Sequence, residues 1–270
     1  SFFVETSPKN AIKVELFAME REQVYFYSSK NKDTKKVNWA NRNDKISEYK
    51  LIGVRCGLEK EDKGDKNKQV MLVEWDAVDY IVDNLKDGDS VFVNGNIEVQ
   101  NYKDQQGNEK ESKRYTLGGI SKAKKPVDFD AEDFSEMASF EQEIVVTDTF
   151  IEDGKLYVGA KLIDYKGEGV DTTFVVDPEA DGGKYKKLAN NMKKRFKWGD
   201  FIKVFGLCVN AVELEEAEDV EEDDWGGEKP AGMDNFVRNY IQELRITAVD
   251  SSTYEPLKYT EEDFFSEDED

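Results

Sequence analysis

The sequence has no histidine and only two cysteines among its 270 residues. Without histidine, the chain lacks the commonest general base and the commonest zinc ligand of proteins. Cys56 and Cys208 are too few for a usual zinc site, and both lie in apolar, strand-like runs, so we expect buried thiols rather than a disulfide. The 59 acidic residues leave a magnesium site or a catalytic carboxylate pair open, but no pair stands out. We therefore predict a protein that is not an enzyme and has no cofactor.

The sequence also lacks long apolar runs and a recognisable export signal. No segment approaches the roughly 18 apolar residues that span a membrane. The first residues, SFFVETSPKN, lack the charged start and apolar core of a secretory signal. We expect a soluble, cytoplasmic protein with no membrane partner. The 4 Trp, 12 Tyr and 16 Phe are too many for a disordered chain, and the length suffices for two ordinary domains.

The net charge of −21 is distributed unevenly along the chain. Residues 1–125 contain 23 basic and 21 acidic residues, whereas residues 126–270 contain 15 basic and 38 acidic residues. Most of the excess lies in ELEEAEDVEEDD (213–224), with 9 acids, and in EEDFFSEDED (261–270), with 7. The rest of the chain is close to neutral, so the acidic total does not exclude a polyanionic partner.

A nine-residue pattern occurs twice, as DGDSVFVNG (87–95) and WGDFIKVFG (198–206). Aligning the two Gly-Asp pairs brings the alternating apolar residues and the second glycine of each copy into register. The match of nine residues is compatible with coincidence, but each copy also follows a predicted helix and precedes a polar stretch and a final strand, which favours duplication. Strand–strand–strand–helix–strand–strand is the order of the OB-fold, a five-stranded Greek-key barrel. We predict a mainly β chain with two tandem OB-fold barrels, each with a short helix between strands 3 and 4.

Changes in composition along the chain predict its domain organisation. We assign residues 1–46 to an N-terminal β-hairpin extension, 47–123 to OB-fold 1, 124–140 to an acidic linker, 141–250 to OB-fold 2 with an acidic insertion at 213–229, and 251–270 to an acidic C-terminal tail. The hairpin is predicted from residues 11–30, which alternate on both sides of a polar turn at Glu20–Glu22. Residues 35–44 are polar and basic and are predicted to form a loop.

Residues 69–120 run from VEWDAV through a predicted helix into LKDGDSVFVNGNIEVQNYKDQQGNEKESKRYTL. This order, with its mid-strand Gly, aromatic residue, Asp-x-x-Gly loop and Tyr-Thr strand, resembles the bacterial single-stranded DNA-binding protein family. The resemblance covers about a fifth of the chain and implies an OB-fold that binds single strands. The tandem arrangement and the acidic C-terminal segment are instead similar to phage-type or replication-protein-A-like binders.

By this resemblance, Trp75 and Tyr102 would stand at the family's base-stacking positions. Trp75 is predicted on a strand with other apolar residues, so a core position competes with stacking, whereas Tyr102 falls in a polar loop, which favours contact with DNA. The implied DNA-binding residues near them are Lys103, Lys110, Lys113, Arg114 and Tyr115. The cations could merely solubilise the loop, but together they could form a basic strip that binds the phosphate backbone.

The second copy contains the densest basic patch, on a helix predicted over residues 182–197. Tyr185, Leu188, Met192 and Phe196 form its apolar stripe. Its cations are Lys184, Lys186, Lys187, Lys193, Lys194, Arg195 and Lys197, with Trp198 at the end. A solvated helix face would have the same composition, but we interpret it as a second phosphate-binding surface. Lys161, Tyr165 and Lys166 would extend the path.

These features predict a sequence-independent single-stranded DNA-binding protein that coats strands exposed in phage DNA replication, recombination or repair, in the bacterial host cytoplasm if it is phage-encoded. The acidic tail would compete with DNA for the basic surface, and would recruit replication or recombination proteins through Phe264 and Phe265. We expect a monomer or dimer. The alternative is an acidic interaction or inhibitory protein that mimics nucleic acid and occupies the basic groove of another protein.

Overall fold

The computed structural model describes residues 1–62, 64–163, 167–216 and 236–264, with the backbone alone for 212–216 and 236–240. Within these residues the chain is mainly β, as predicted, and it divides into two compact units. Unit 1 comprises Ser1–Phe3, Lys13–Glu98 and Lys113–Phe134, and unit 2 comprises Val4–Ile12, Val99–Ser112 and Ser135–Asp270.

The strands and helices follow one another in a fixed order along the chain. They are β1 (Phe2–Ser7), β2 (Asn10–Glu15), β3 (Gln23–Ser28), β4 (Asp33–Asn38), β5 (Lys50–Leu51), β6 (Val54–Gly57), β7 (Val70–Leu72), α1 (Glu74–Asn84), β8 (Val91–Lys103), β9 (Glu109–Lys122), β10 (Ser139–Glu152), β11 (Lys155–Ile163), β12 (Gly169–Val176), α2 (Ala180–Gly183), α3 (Lys186–Arg195), β13 (Phe201–Glu216) and β14 (Phe236–Glu255). Short 3-10 turns lie at Trp39–Asn41 and Glu261–Phe264. Among the described residues, no helix has both the length and the apolar character needed to span a bilayer.

Unit 2 contains a closed five-stranded barrel. Its strands neighbour one another in the order β10, β11, β12, β14 and β13, and β13 pairs again with β10. The pairings are antiparallel except that between β12 and β14, where Val175 lies in register with Arg245. α2 and α3 connect β12 to β13, so a helix lies between the third and fourth strands of this barrel, as predicted.

The barrel closes around side chains that alternate along each strand. In β11, Leu156, Val158 and Ala160 are buried, and the residues between them face outward. Phe174 of β12 and Ile246 of β14 are buried in the same interior. A period of two is what a strand with one buried face requires, so the inward residues form the core and the outward residues are available for other roles.

α3 confirms the apolar stripe that the sequence predicts. Met192 is buried together with Ala189, and Leu188 and Phe196 are half-buried. The helix begins at Lys186 rather than near residue 182, because the preceding glycines adopt positive φ angles that a continuous helix does not allow.

The strands outside the barrel form two sheets, and the larger one contains residues of both units. The larger has the strand order β1-β2-β9-β6-β7, with β8 also paired to β9, and the smaller has the order β4-β3-β5. β9 pairs in parallel with both β2 and β6. Among the described residues, the pairings within these two sheets do not close into a ring like that of the barrel.

Two expectations for the N-terminal residues are wrong. The predicted hairpin over residues 11–30 is absent, because β2 joins β9 in the larger sheet whereas β3 pairs with β4 and β5 in the smaller one. The loop predicted over residues 35–44 begins instead as strand β4, whose inward Val37 packs with Val24 and Phe26 of β3. Pairing partners far along the chain decide these strands, and local alternation does not reveal them.

Both cysteines are buried thiols outside any disulfide, as predicted. Cys56 lies in β6 of unit 1, and burial raises its pKa to about 11. Cys208 lies in β13 of unit 2. A thiol with a raised pKa is a poor nucleophile at neutral pH, so Cys56 serves packing rather than reactivity.

The two copies of the repeated pattern adopt the same turn. Gly88 and Gly199 have positive φ angles of 83° and 85°, a conformation that favours glycine. In each copy the following aspartate accepts a hydrogen bond from the backbone N–H three residues before it, at 2.9 Å for Asp89 and 3.0 Å for Asp200. The repetition in sequence therefore corresponds to a repetition in local structure.

The second glycine of each copy also has the same surroundings. A Cβ atom on Gly95 would lie 1.7 Å from the carbonyl oxygen of Thr116, on the neighbouring strand β9. A Cβ atom on Gly206 would lie 2.0 Å from the carbonyl oxygen of Arg245, on the neighbouring strand β14. Both glycines allow a close approach between the last two strands of their unit.

Candidate nucleic-acid interface

The outward face of the barrel carries aromatic and basic side chains on neighbouring strands. Phe150 of β10 and Tyr157 of β11 stack, with ring centroids 5.1 Å apart and planes 6° from parallel. Lys155 and Lys161 lie on the same face of β11 as Tyr157, because alternate residues of a strand point the same way. This face offers flat rings and cations side by side.

Acidic groups hold both of these lysines in place. Lys155 Nζ lies 2.9 Å from Glu243, and Lys161 Nζ lies 2.8 Å from Asp171. Burial would raise the pKa of Glu243, but hydrogen bonds from Lys155 and Arg245 outweigh it and lower that pKa below its usual value. Glu243 therefore stays ionised at neutral pH and keeps Lys155 partly neutralised.

The side chain of Phe264 packs against this face of the barrel. Its ring lies so close to Gly169 of β12 that a Cβ atom there would be 2.6 Å from it. Lys161 Nζ lies 5.6 Å from the ring centroid. The rings of Trp198 and Tyr259 have centroids 6.3 and 5.6 Å from that of Phe264. The barrel thus holds an aromatic ring beside a cation and near two other rings, a site we call the Phe264 seat.

The predicted acidic tail, residues 251–270, is ordered on the barrel through Phe264. β14 continues to Glu255, and the Tyr254 hydroxyl and the Leu257 backbone N–H both donate to Asp200, each at 2.8 Å. The boundary predicted between OB-fold 2 and the tail, at residue 250, therefore falls inside β14, and buried Asp200 holds Tyr254 and Leu257 beside the repeated turn. Phe265 and the residues after it lie outside the described part of the chain, as do residues 217–229 of the predicted insertion.

The basic patch that the sequence predicts lies on α3 and the residues around it. Lys184, Lys186, Lys187, Lys193, Lys194, Arg195 and Lys197 are all exposed. Lys186 pairs with Glu179 at 3.0 Å, and Lys184 lies 3.9 Å from Asp181. Within the described ranges, Lys187, Lys193, Lys194 and Lys197 form no ion pair. Trp198 is half-buried beside Phe264, so it links this patch to the Phe264 seat.

The tip of the β8–β9 hairpin, where β8 ends and β9 begins, presents Tyr102, Lys103 and Lys110 to solvent. Tyr102 lies on strand β8 rather than in the predicted loop, but 53% of the residue is exposed, so it is accessible to a ligand. The turn that follows is tight because Asp104 accepts backbone hydrogen bonds, and that from Asn108 is the main cause of its lowered pKa.

The predicted DNA-binding residues farther along β9, at positions 113–115, differ in exposure. Arg114 is exposed and Lys113 is half-buried. Tyr115 is buried, in register with Val14 of β2, and its ring belongs to the core of unit 1. The assignment of Tyr115 to DNA contact is therefore corrected, since a buried ring has no face for a base.

Trp75 lies in the first turn of α1 and not on a strand as predicted. Strand β7 ends at Leu72, and the acidic residues Glu74 and Asp76 favour a helix start here because they complement its positive end. Trp75 is 45% exposed, so it is outside the core. Glu74 and Asp76 lie on either side of it, and Asp76 pairs with Arg42 at 2.8 Å, so Glu74 is the charge that would repel a phosphate beside Trp75.

The sequence did not predict the exposed aromatic residues of β3. Tyr25 and Tyr27 point outward from the smaller sheet of unit 1, while Val24 and Phe26 point inward. The alternation within QVYFYS was a signal for this face, but tyrosine is equally common in half-buried strands. Tyr165 and Lys166, which were predicted to extend the basic path, lie outside the described residues.

Comparison with known proteins places the chain in a family. A model of the family named YorF matches residues 5–269 and so includes both copies of the repeated turn. No curated protein matches the chain. In the part of the chain that the structure describes, no cluster of three His, Cys, Asp or Glu side chains is arranged to hold a metal ion. Because the match spans almost the whole length, the chain belongs to the YorF family.

Proposed function

We propose that this protein binds single-stranded DNA without sequence preference and coats strands exposed during phage replication, recombination or repair, with no reaction of its own. The observation that carries the proposal is the Phe264 seat, where the barrel holds a flat ring beside Lys161. Binding to a single strand needs aromatic faces for bases and cations for phosphates on one surface. A nucleotide would place its base where the Phe264 ring lies and its negatively charged phosphate beside the Lys161 cation.

The strand order of the barrel supports its assignment to the OB-fold. Numbered along the chain, its third and fifth strands pair in parallel, its first pairs with its fourth, and a helix lies between its third and fourth. OB-folds bind oligonucleotides on the face of strands 2 and 3. Lys161 and Gly169, which contact Phe264, lie on the second and third strands. The repeated turn supports a second OB-fold in unit 1.

Other exposed groups would supply the remaining affinity. Phe150 and Tyr157 extend the aromatic surface, and base stacking on such rings contributes roughly 1–3 kcal/mol per base. Lys187, Lys193 and Lys194 of α3, which form no ion pair with the residues that the structure describes, would contact phosphates and release counterions, with a salt slope of about −0.7 per phosphate. These contacts are to backbone and ring faces, which explains why no sequence preference is expected.

The C-terminal residues would regulate this site by competition. Glu261, Glu262 and Asp263 are exposed acids immediately before Phe264. They would add negative charge next to Phe264, whose ring would occupy the place of a base. DNA that displaces this segment would free Phe264 for a replication or recombination partner.

The test is fluorescence anisotropy of labelled oligo(dT) and of a matched duplex, at low and high salt. The full chain and its Phe264→Ala variant are compared, with Leu257→Ala as a control at an exposed position in the same segment. We expect strand-selective, salt-sensitive binding that is strengthened about tenfold by Phe264→Ala and unchanged by Leu257→Ala, since roughly 1.4 kcal/mol of competing contact corresponds to a factor of ten.

Two results would contradict the proposal in different ways. If neither the full chain nor Phe264→Ala binds oligo(dT) at low salt, DNA binding is wrong and the acidic mimic becomes the better interpretation. If both bind with equal affinity, the protein binds DNA but Phe264 does not compete with it.

A further inference from the structure

We infer that the outer surface of the smaller sheet in unit 1 is a second binding surface for single-stranded nucleic acid. This surface, the β3 face, consists of Gln23, Tyr25, Tyr27, Thr34, Lys36, Asn38, Lys50 and Ile52. The inference rests on the proposed function, but it concerns a site in the other unit, whose residues the Phe264 seat does not include.

The tyrosines of this face are held outward by the packing of the residues between them. Val24 and Phe26 are buried with Val73 on the inner side of the sheet. Tyr25 and Tyr27 are therefore directed to solvent, with 41% and 43% of their surface exposed. Residues two apart on a strand are separated by roughly 7 Å, so each ring can receive a separate base.

A lysine accompanies each tyrosine on the neighbouring strand. Tyr25 is in register with Lys36 of β4, and Tyr27 is in register with Lys50 of β5. Side chains opposite each other in a sheet have Cβ atoms about 5 Å apart, and Lys36 Nζ lies 6.0 Å from the centre of the Tyr25 ring. Aromatic faces and cations thus alternate across the sheet in the pattern that a single strand requires.

The charge of the β3 face selects a polyanion as its partner. None of its eight residues is acidic, although the chain as a whole has 59 Asp and Glu residues. Of the acids that flank the face along the chain, Asp33 accepts a hydrogen bond from the Tyr49 hydroxyl at 2.8 Å and Glu48 pairs with Lys30, whereas Glu22 lies just before Gln23 at the start of β3. An apolar protein surface would match neither lysine, whereas stacked bases and phosphates match both residue types.

The experiment compares full-length variants for binding to labelled oligo(dT). In Tyr25→Ala/Tyr27→Ala both rings are removed, and in Lys36→Ala/Lys50→Ala both cations are removed. The matched control, Phe17→Ala/Met19→Ala, removes two side chains of the same unit that are 80% and 54% exposed but lie off the β3 face. Ultraviolet crosslinking of the wild-type complex, read by peptide mass spectrometry, locates the contact independently.

We expect the tyrosine variant to bind at least about tenfold more weakly, because stacking contributes roughly 1–3 kcal/mol per base. In the lysine variant, the salt dependence should be weaker: the magnitude of the negative salt slope should fall by about 1.4, at roughly 0.7 for each lost phosphate contact. The control variant should bind like wild type, and crosslinks should occur at Tyr25 or Tyr27. The lysine variant keeps both rings, so its salt slope reports on the site even if the tyrosine variant folds poorly.

The outcomes separate this inference from the proposed function. Wild-type binding that neither double variant alters, with crosslinks confined to the barrel, overturns the β3 face and leaves the proposed function intact. Absence of oligo(dT) binding by the wild type overturns both. A tyrosine variant that binds oligo(dT) normally but loses capture of a protein from a host lysate also overturns the inference, because it assigns the face to a protein partner.

Discussion

The turn before β8 in unit 1 and the turn before β13 in unit 2 have the same backbone geometry but different surroundings. Asp200 is 1% exposed and holds the end of the chain through Tyr254 and Leu257. Asp89 is partly exposed, and the half-buried Lys122 lies 3.1 Å from it. The local sequence determines the turn, whereas the neighbouring strands determine how much of the unit depends on it.

Strand pairing explains this difference. β13 is hydrogen-bonded on both sides, by β10 and β14, so it cannot move without opening the barrel. In the described part of unit 1, β8 is paired with β9 alone and has an edge that is free to shift. Equivalent substitutions in the two turns should therefore have unequal effects on the free energy of unfolding.

The largest effect is expected for the second glycine of the pattern. Gly206→Ala would place a methyl group 2.0 Å from the Arg245 carbonyl oxygen and 2.6 Å from the ring of buried Phe140. We expect a loss of about 3 kcal/mol, because overpacking cannot be relieved in a strand paired on both sides. Gly95→Ala makes a still closer contact, 1.7 Å from the Thr116 carbonyl oxygen, but its strand can move outward, so we expect about 1 kcal/mol. Urea unfolding, with hydrogen exchange to assign each loss to a unit, measures both.

Gly159→Ala in β11 is the control for the barrel. Its methyl group would lie 2.9 Å from Thr147 Oγ1, a side-chain atom that can rotate away, so the expected loss is below about 1 kcal/mol. Equal losses for Gly206→Ala and Gly95→Ala would contradict the view that pairing on both sides sets the cost.

Substitutions of the two aspartates should differ less in their effect on the free energy of unfolding. Asp200→Ala leaves the backbone N–H groups of Lys197 and Leu257 and the Tyr254 hydroxyl without their acceptor. We expect a loss of about 2 kcal/mol, since unsatisfied buried donors are costly. Thermal unfolding with near-ultraviolet circular dichroism, which follows the aromatic residues, measures this loss.

The matched variant in unit 1, Asp89→Ala, should cost about 1 kcal/mol or less, because water can replace its contacts. Tyr254→Phe, which removes one donor to Asp200 and retains the ring, should lie between the two. A larger loss for Asp89→Ala than for Asp200→Ala would reverse the comparison and place the more important turn in unit 1.

The fold features that the sequence predicts correctly are those with a local cause. The stripe of α3 and the glycine turns depend on residues within a few positions of one another, so their spacing is visible in the chain. The separation of β2 from β3 depends on β9, about a hundred residues away. The position of Trp75 depends on where β7 ends and α1 begins, a boundary that apolar residues on both sides conceal.

The candidate site was predictable to the same extent. Exposed Tyr102 and the α3 lysines were found because they lie in polar surroundings that have no use for a core residue. The Phe264 seat joins β11, β12 and the C-terminal residues, and only the closed barrel brings these together. Tyr25 and Tyr27 were missed because the inner or outer position of a strand residue depends on which sheet the strand joins.

The smallest predicted effect concerns the response of Asp89 to pH. A hydrogen bond from the Lys86 backbone N–H, followed by that from Lys122, lowers the pKa of Asp89 in the folded protein. A carboxyl group with a lowered folded-state pKa stabilises the fold above its unfolded-state pKa, roughly 3.9, and loses this contribution as the pH falls through the folded-state pKa.

The difference in unfolding free energy between wild type and Asp89→Asn should therefore be present at pH 7, stay below about 1 kcal/mol because the group is near the surface, and disappear in strong acid. Urea unfolding at successive pH values, with the Asp89 carboxyl titrated by nuclear magnetic resonance, measures both quantities. A difference that grows as the pH falls would mean that the carboxylate opposes folding, and the shared turn would then be stabilised by its glycine alone in unit 1.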